Sequence, residues 1–216
     1  VFSVPYNGPY RNFYSWYLYT SDNKHVIKLG NYEANRQQGP KGRLSVTYSK
    51  HHLLASLLAD ARKAGVRVLA GQNVIALRQG KDVARIKTAE GLELEAPFVI
   101  AADGINSRIV QQLGLNRDRA FYGTLQGVSC YMTGLDLPYP EAINYPMLFH
   151  KPSGYPVMAW IEPSPYNEEE FWVYLCGPSH PQLNYRAELD RLVSGSPFSA
   201  WFPKPVMGKL QAHVAN

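Results

Sequence analysis

Hydrophobic positions along this chain recur at two spacings, and the spacing changes with region. In KHHLLASLLADARKA, residues 50–64, Leu53, Leu54, Leu57, Leu58 and Ala61 fall at i, i+1, i+4, i+5 and i+8. That is one apolar stripe at helical period and predicts a helix. Ser49 stands at its N-cap position and Gly65 where a C′ glycine belongs. Short β signals follow at Val66–Leu69, Val74–Leu77, Val83–Thr88 and Leu92–Glu95, with Gly80-Lys81-Asp82 and Ala89-Glu90-Gly91 as turns.

The run APFVIAADGINSRIVQQLGL, residues 96–115, behaves differently. Phe98 to Ala102 do not alternate, which predicts a strand covered on both faces, as in a parallel sheet under helices. The run stops at Asp103-Gly104. Asn106 or Ser107 then caps a helix bearing Ile109, Val110 and Leu113, closed by Gly114. A carboxylate at the end of a buried strand, ahead of a helix N-terminus, suits a ligand site in an open α/β sheet. It equally suits a residue that caps its own turn. Local physics leaves the two readings open.

Residues 12–19, NFYSWYLY, read as an aromatic strand that pairs with 26–32 across Ser21-Asp22-Asn23-Lys24. EANRQQGPKGR, residues 33–43, is polar, punctuated by Gly and Pro, and reads as a loop. Val1-Phe2-Ser3-Val4 resembles a strand already under way. From about residue 120, YGTLQGVSCYMTG, MLFHK, YPVMAWIEP and EFWVYLCG alternate with Pro-rich turns and predict an antiparallel sheet. Glu168-Glu169-Glu170 reads as a solvated hairpin tip, and a last amphipathic helix covers roughly Tyr185–Val193. The fold class is α/β (α+β), with one region over 44–118 and a β-rich region drawn from 1–43 and 119–216.

Composition narrows the function classes. The 216 residues carry a net charge of +5, but the 22 Lys and Arg are scattered, which argues against a nucleic-acid surface. Cys130 and Cys176 show no metal-like spacing and read as buried thiols in a reducing compartment. There is no bilayer-length apolar run and no signal peptide, so the expectation is a soluble, cytoplasmic protein without an integral membrane segment. His51 and His52 sit on the solvent side of a helix start without a partner at ligand spacing, so no metal site is expected. Ser129 and Ser153 lack the context of a nucleophile elbow.

Between Lys50 and Ser107 the motifs resemble, in order and spacing, FAD-dependent oxidoreductases of the aromatic-hydroxylase and geranylgeranyl-reductase superfamily. The matching pieces are Lys50-His51-His52-Leu53 with Leu57, Gly65-Val66-Arg67-Val68, Ile86-Lys87-Thr88-Ala89-Glu90-Gly91, and Val99-Ile100-Ala101-Ala102-Asp103-Gly104-Ile105-Asn106-Ser107. The resemblance implies a partial Rossmann-like FAD-binding region and an antiparallel substrate region. Asp103 and Gly104, with Ala102 and Ser107 of the same motif, would lie near the flavin pyrophosphate. Val74 would lie on the strand whose backbone meets the adenine end. Lys50 takes the place of an arginine that touches the cofactor, keeping its charge but not its bidentate fork. Val110 stands where many hydroxylases have an arginine, while SRIVQQLGL is closer to the reductase branch.

The family's G-x-G-x-x-G and its later Gly-Asp motif are absent from these residues. The expectation is therefore an internal piece of a longer enzyme that does not bind FAD tightly alone. Gly154-Tyr155 and Trp160-Ile161-Glu162-Pro163 resemble, at longer spacing, a reductase substrate-cavity motif, which makes Tyr155 and Trp160 candidate substrate residues. Tyr14, Trp16, Tyr17 and Tyr19 read first as core. In this family the flavin performs the chemistry, and no acid–base constellation stands out. The implied function is oxidation of an apolar or aromatic small molecule, by hydroxylation or by saturation of a prenyl-type double bond, with NAD(P)H as a candidate donor. A truncated, non-catalytic binding or interaction module is the alternative. Open sheet edges make a homodimer plausible.

Overall fold

The computed structural model describes residues 6–120 and 122–215. The strand expected at Val1-Phe2-Ser3-Val4 lies outside the described residues. In chain order the elements are β1 (Tyr10–Phe13), β2 (Trp16–Tyr19), β3 (Val26–Leu29), α1 (Tyr32–Gln37), β4 (Ser45–Tyr48) and α2 (Lys50–Lys63). Then come β5 (Val74–Gln79), β6 (Ala84–Thr88), β7 (Glu93–Ala96) and α3 (Arg108–Gln112). The last part holds β8 (Leu125–Thr133), β9 (Ile143–His150), β10 (Tyr155–Pro163), β11 (Phe171–Pro178), α4 (Tyr185–Ser194), β12 (Val206–Met207) and β13 (Gln211–Ala215). The elements form two compact units: residues up to 59 together with 123–215, and residues 60–122.

The first unit is built on one large sheet, ordered β12-β8-β11-β10-β9-β2-β3, with β13 also pairing β8. All its pairings are antiparallel except β2–β9, which runs parallel with Trp16 opposite Ile143. The strands β8, β10 and β11 alternate as their sequences predict. Val157, Ala159 and Ile161 of β10 and Val173 and Leu175 of β11 are fully buried on one face. Leu189 and Leu192 of α4 are buried in the same core. Asn184 starts that helix, its Oδ1 accepting from Arg186 N (3.0 Å) and Ala187 N (3.1 Å). Burying a large apolar side chain contributes roughly 1.5–3 kcal/mol, so this face holds the unit together.

Two expectations change here. NFYSWYLY is two strands rather than one, broken at Tyr14-Ser15: β1 pairs β4, whereas β2 pairs β3 and β9. The stretch expected as a loop contains α1, because Asn31 Oδ1 accepts from Ala34 N (3.0 Å) and satisfies the first turn. Tyr17 and Tyr19 belong to the core, as expected, while Tyr14 and Trp16 are half-buried.

The second unit centres on the meander β5-β6-β7, with a bulge between Val74 and Ala76. Gln112 clamps α3 to β5: its Nε2 donates to Leu77 O (2.7 Å) and its Oε1 accepts from Leu77 N (3.1 Å). Ser107 caps α3, Oγ accepting from Val110 N (3.0 Å), and Gly114 closes it at φ 67°. The buried parallel strand expected at 97–102 does not form. Phe98 is 88% and Ile100 90% exposed, and no strand among the described residues pairs with the segment. The strand expected at Val66–Leu69 is likewise absent. The physical reason is common to both: strand geometry needs a hydrogen-bonded neighbour. The α2 helix forms with Ser49 and Gly65 at its ends, but its leucines Leu54, Leu57 and Leu58 are exposed.

Candidate functional site

The second unit gathers Val74, Ala102 and Asp103. Its meander delivers the start of β5 beside the end of 97–102, and the Gln112 clamp holds α3 against the same strand. Val74, Ala102, Asp103 and Ile109 line an apolar hollow of about 110 Å³. An open cleft of about 350 Å³ adjoins it, lined by Asn73, Val74, Asp103, Asn106 and Arg108. Asp103 is exposed and makes no side-chain hydrogen bond among the described residues. It therefore does not cap its own turn; Ser107 does the capping. Gly104 adopts φ 89°, a left-handed conformation suited to glycine, and nothing lies within 4 Å of where its Cβ would be. Ser107 is buried, with its hydroxyl engaged at the start of α3. Lys50, exposed at the start of α2, belongs to the first unit.

The cleft offers a free carboxylate, a guanidinium and an open glycine backbone. That donor set fits the hydroxyl and phosphate groups along one edge of a dinucleotide such as FAD.

A second assembly occupies the face of the large sheet opposite α4. Alternation along β10 and β11 puts Met158, Trp160 and Glu162, and Trp172, Tyr174 and Cys176, on this face. Six rings form a continuous run across it: Trp16–Tyr145 (5.9 Å between centroids), Tyr145–Trp160 (4.9 Å), Trp160–Trp172 (6.3 Å), Trp172–Tyr174 (5.2 Å, stacked) and Tyr174–His213 (5.4 Å). Beside them Ser129 Oγ lies 2.8 Å from His213 Nε2. Tyr155 is five residues from Trp160, so the strand's period of two turns it to the other face, where its ring meets His180 at 5.2 Å. The structure does not bring the two candidate substrate residues together.

Glu162 is the functional candidate that reading the sequence missed. It is 6% exposed, and its Oε2 accepts from Trp160 Nε1 (2.9 Å). Burial pushes its carboxyl up from the ordinary range, against hydrogen bonds from Thr47 and Trp160 that pull it down. Tyr145 nearby is pushed up to about 12, chiefly by burial and then by Glu162. The signal was present in YPVMAWIEP, where Glu162 takes an alternating position beyond Met158 and Trp160. Cys130 is a buried free thiol pushed up to about 11 by burial, and Cys176 is half-buried and free.

The chain matches the FAD binding domain family over residues 20–186. It belongs to that family of FAD-dependent oxidoreductases. A putative 2-heptyl-3-hydroxy-4(1H)-quinolone synthase of Rhodococcus erythropolis, AqdB1, is 35% identical over 96 residues, 44% of this chain and 23% of that protein. Among solved structures, a geranylgeranyl bacteriochlorophyll reductase-like protein of Thermoplasma acidophilum superposes with a TM-score of 0.67 at 20% identity, covering 94% of this chain and 50% of that one. The halogenase PltM in complex with phloroglucinol and FAD superposes with a TM-score of 0.64 at 11% identity, covering 96% and 44%. The chain thus spans about half the length of these solved structures and about a quarter of the curated relative. The likeness to the solved structures is one of fold. No helix among the described residues is long and apolar enough to cross a membrane.

Proposed function

We propose that a protein containing this chain is a flavin-dependent hydroxylase of a planar, apolar aromatic small molecule, with NAD(P)H as electron donor and dioxygen as the source of the inserted oxygen, its second oxygen leaving as water. The family match over 20–186 carries the flavin half of this reading. The aromatic run on the large sheet supports the substrate half. The quinolone synthase relative, whose product is a hydroxylated planar bicycle by its name, favours hydroxylation over double-bond reduction.

Bound FAD supplies two-electron redox chemistry at its ring system. The chain's own residues bind and orient. Asp103 accepts hydrogen bonds from cofactor hydroxyls or phosphate-bound water. Gly104 and Ala102 let the cofactor approach the backbone, Val74 contributes the strand edge beside them, and Ser107 keeps α3 in place. Lys50, in the first unit, is supported as a cofactor contact by the family motif alone. Trp160 carries the substrate contact, and Tyr155, on the other face, does not share it.

Titration of FAD into a protein that carries this chain together with the family's G-x-G-x-x-G and Gly-Asp motifs, followed by quenching of flavin fluorescence, tests the site. Losing a hydrogen bond to a charged group costs about 1.5–3 kcal/mol, so Asp103→Ala is expected to weaken uptake about tenfold or more. Asp103 is exposed, so the fold is expected to be unchanged. Wild-type affinity in Asp103→Ala would overturn the assignment of Asp103. Absence of flavin uptake by that longer wild-type protein would overturn the functional reading itself.

A further inference from the structure

The aromatic run has a covered end and an open end. At the covered end β4 contributes two polar contacts to the face: Trp16 Nε1 donates to Ser45 Oγ (3.0 Å), and the Thr47 hydroxyl donates to the Glu162 carboxylate. At the open end Met147 and Met158 are 39% and 48% exposed. Trp160 stands between the two ends, half-buried, with Tyr174 directly opposite on β11 and Tyr145 at 4.9 Å on β9.

Its indole has one polar atom, Nε1, and that atom is turned onto Glu162. A tryptophan held this way cannot rotate about its ring bond without taking one of two hydrogen bonds from a buried carboxyl and leaving Thr47 as its remaining donor, and losing a buried hydrogen bond is costly. A carboxylate is a poor choice for mere packing at a position opposite Trp172 in the sheet. Its acceptor capacity matches what sits beside it, an indole N–H and a hydroxyl.

We infer that Glu162 is a positioning residue: by holding Trp160 through Nε1 it fixes the platform on which a planar aromatic substrate stacks. The inference rests on the proposed substrate class and on the large sheet carrying the substrate. It adds a specificity element. A rigid, flat indole favours fused aromatic rings over flexible aliphatic chains, because stacking on a preoriented ring loses less side-chain freedom on binding.

The test uses 4-hydroxyquinoline as probe, titrated into the protein and followed by tryptophan quenching, with FAD uptake measured separately. Wild type is expected to bind the probe. Trp160→Phe, which lacks the indole N–H and the larger ring, and Glu162→Ala are both expected to bind it about tenfold more weakly. Glu162→Gln keeps an acceptor for Nε1 and is expected to stay within threefold of wild type. FAD uptake is expected to be unchanged in all three. Failure of the wild type to bind the probe, or wild-type affinity in Trp160→Phe, would overturn the platform. Wild-type affinity in Glu162→Ala with weakened Trp160→Phe would overturn the role of Glu162. If Glu162→Ala does not fold, a Glu162→Gln variant as weak as Trp160→Phe overturns it instead. Probe binding without FAD uptake would leave this inference standing and remove the flavin reading.

Discussion

The two units treat their apolar residues in opposite ways. In the first, the large sheet, α4 and the turn around Phe198 and Trp201 enclose a continuous core with many side chains fully buried. In the second, a three-stranded meander and a five-residue helix bury Leu77 and Ile109, while Phe98, Ile100, Val66, Val68 and Leu69 stand exposed. Both stretches are comparably apolar in sequence. What separates them is whether hydrogen-bonding neighbours exist: β10 lies between β9 and β11, whereas 97–102 has no paired strand among the described residues. Apolar sequence commits a segment to an interior only when the rest of an interior is present.

The contrast can be broken by mutation, and the largest effect should come from the enclosed core. Leu189→Ala is expected to cost about 2–5 kcal/mol in urea denaturation, since it leaves a cavity in a fully buried site. Gln112→Ala removes both bonds of the clamp on β5. It should cost about 1–3 kcal/mol, confined to the second unit, and be read as faster hydrogen exchange at the Leu77 amide.

Glu162 makes the buried face sensitive to pH. Its folded pKa is raised, so the folded state holds the proton more tightly than the unfolded one, and stability falls as pH rises. The fall begins near the ordinary carboxyl value of 4.5 and ends above the raised one. It amounts to about 1.4 kcal/mol per unit of separation. The groups facing it are Thr47 of β4, Trp160 of β10, Trp172 of β11, Tyr145 of β9 and Tyr131 of β8. Glu162→Gln should remove this fall from thermal melts taken between pH 4 and 8. The smallest effect belongs to the open unit: Ile100→Ser is expected to stay within about 0.5 kcal/mol of wild type, because the side chain is 90% exposed. A large loss there would show that 97–102 is covered.

Legibility in the sequence followed the same division. The alternation in YPVMAWIEP and EFWVYLCG, the cap at Ser107, the amphipathic stretch Tyr185–Val193 and the hairpin tip at Glu168-Glu169-Glu170 are local signals, and each produced the element expected. The run at 97–102 is a tertiary signal, which a sequence reports without its partners. The motif around Asp103 pointed to the family that the match over residues 20–186 shows, and the structure gives the cap of α3 to Ser107. Glu162 was hidden for a different reason: its role depends on side-chain contacts and burial that spacing along the chain does not report. Its partner Trp160 lies only two residues away.

The parallel pairing of β2 with β9 has a consequence for how the molecule forms and varies. Trp16 meets Ile143 across an intervening stretch that contains the whole second unit. Joining the sheet there requires closing a very long loop, so this seam should be among the last to zip and should make the first unit a slow folder. The same arithmetic makes the intervening stretch tolerant of change. Doubling such a loop adds only about 0.6 kcal/mol to its closure, so the intervening segment can be lengthened, or acquire new elements, with little effect on the sheet that encloses it in sequence.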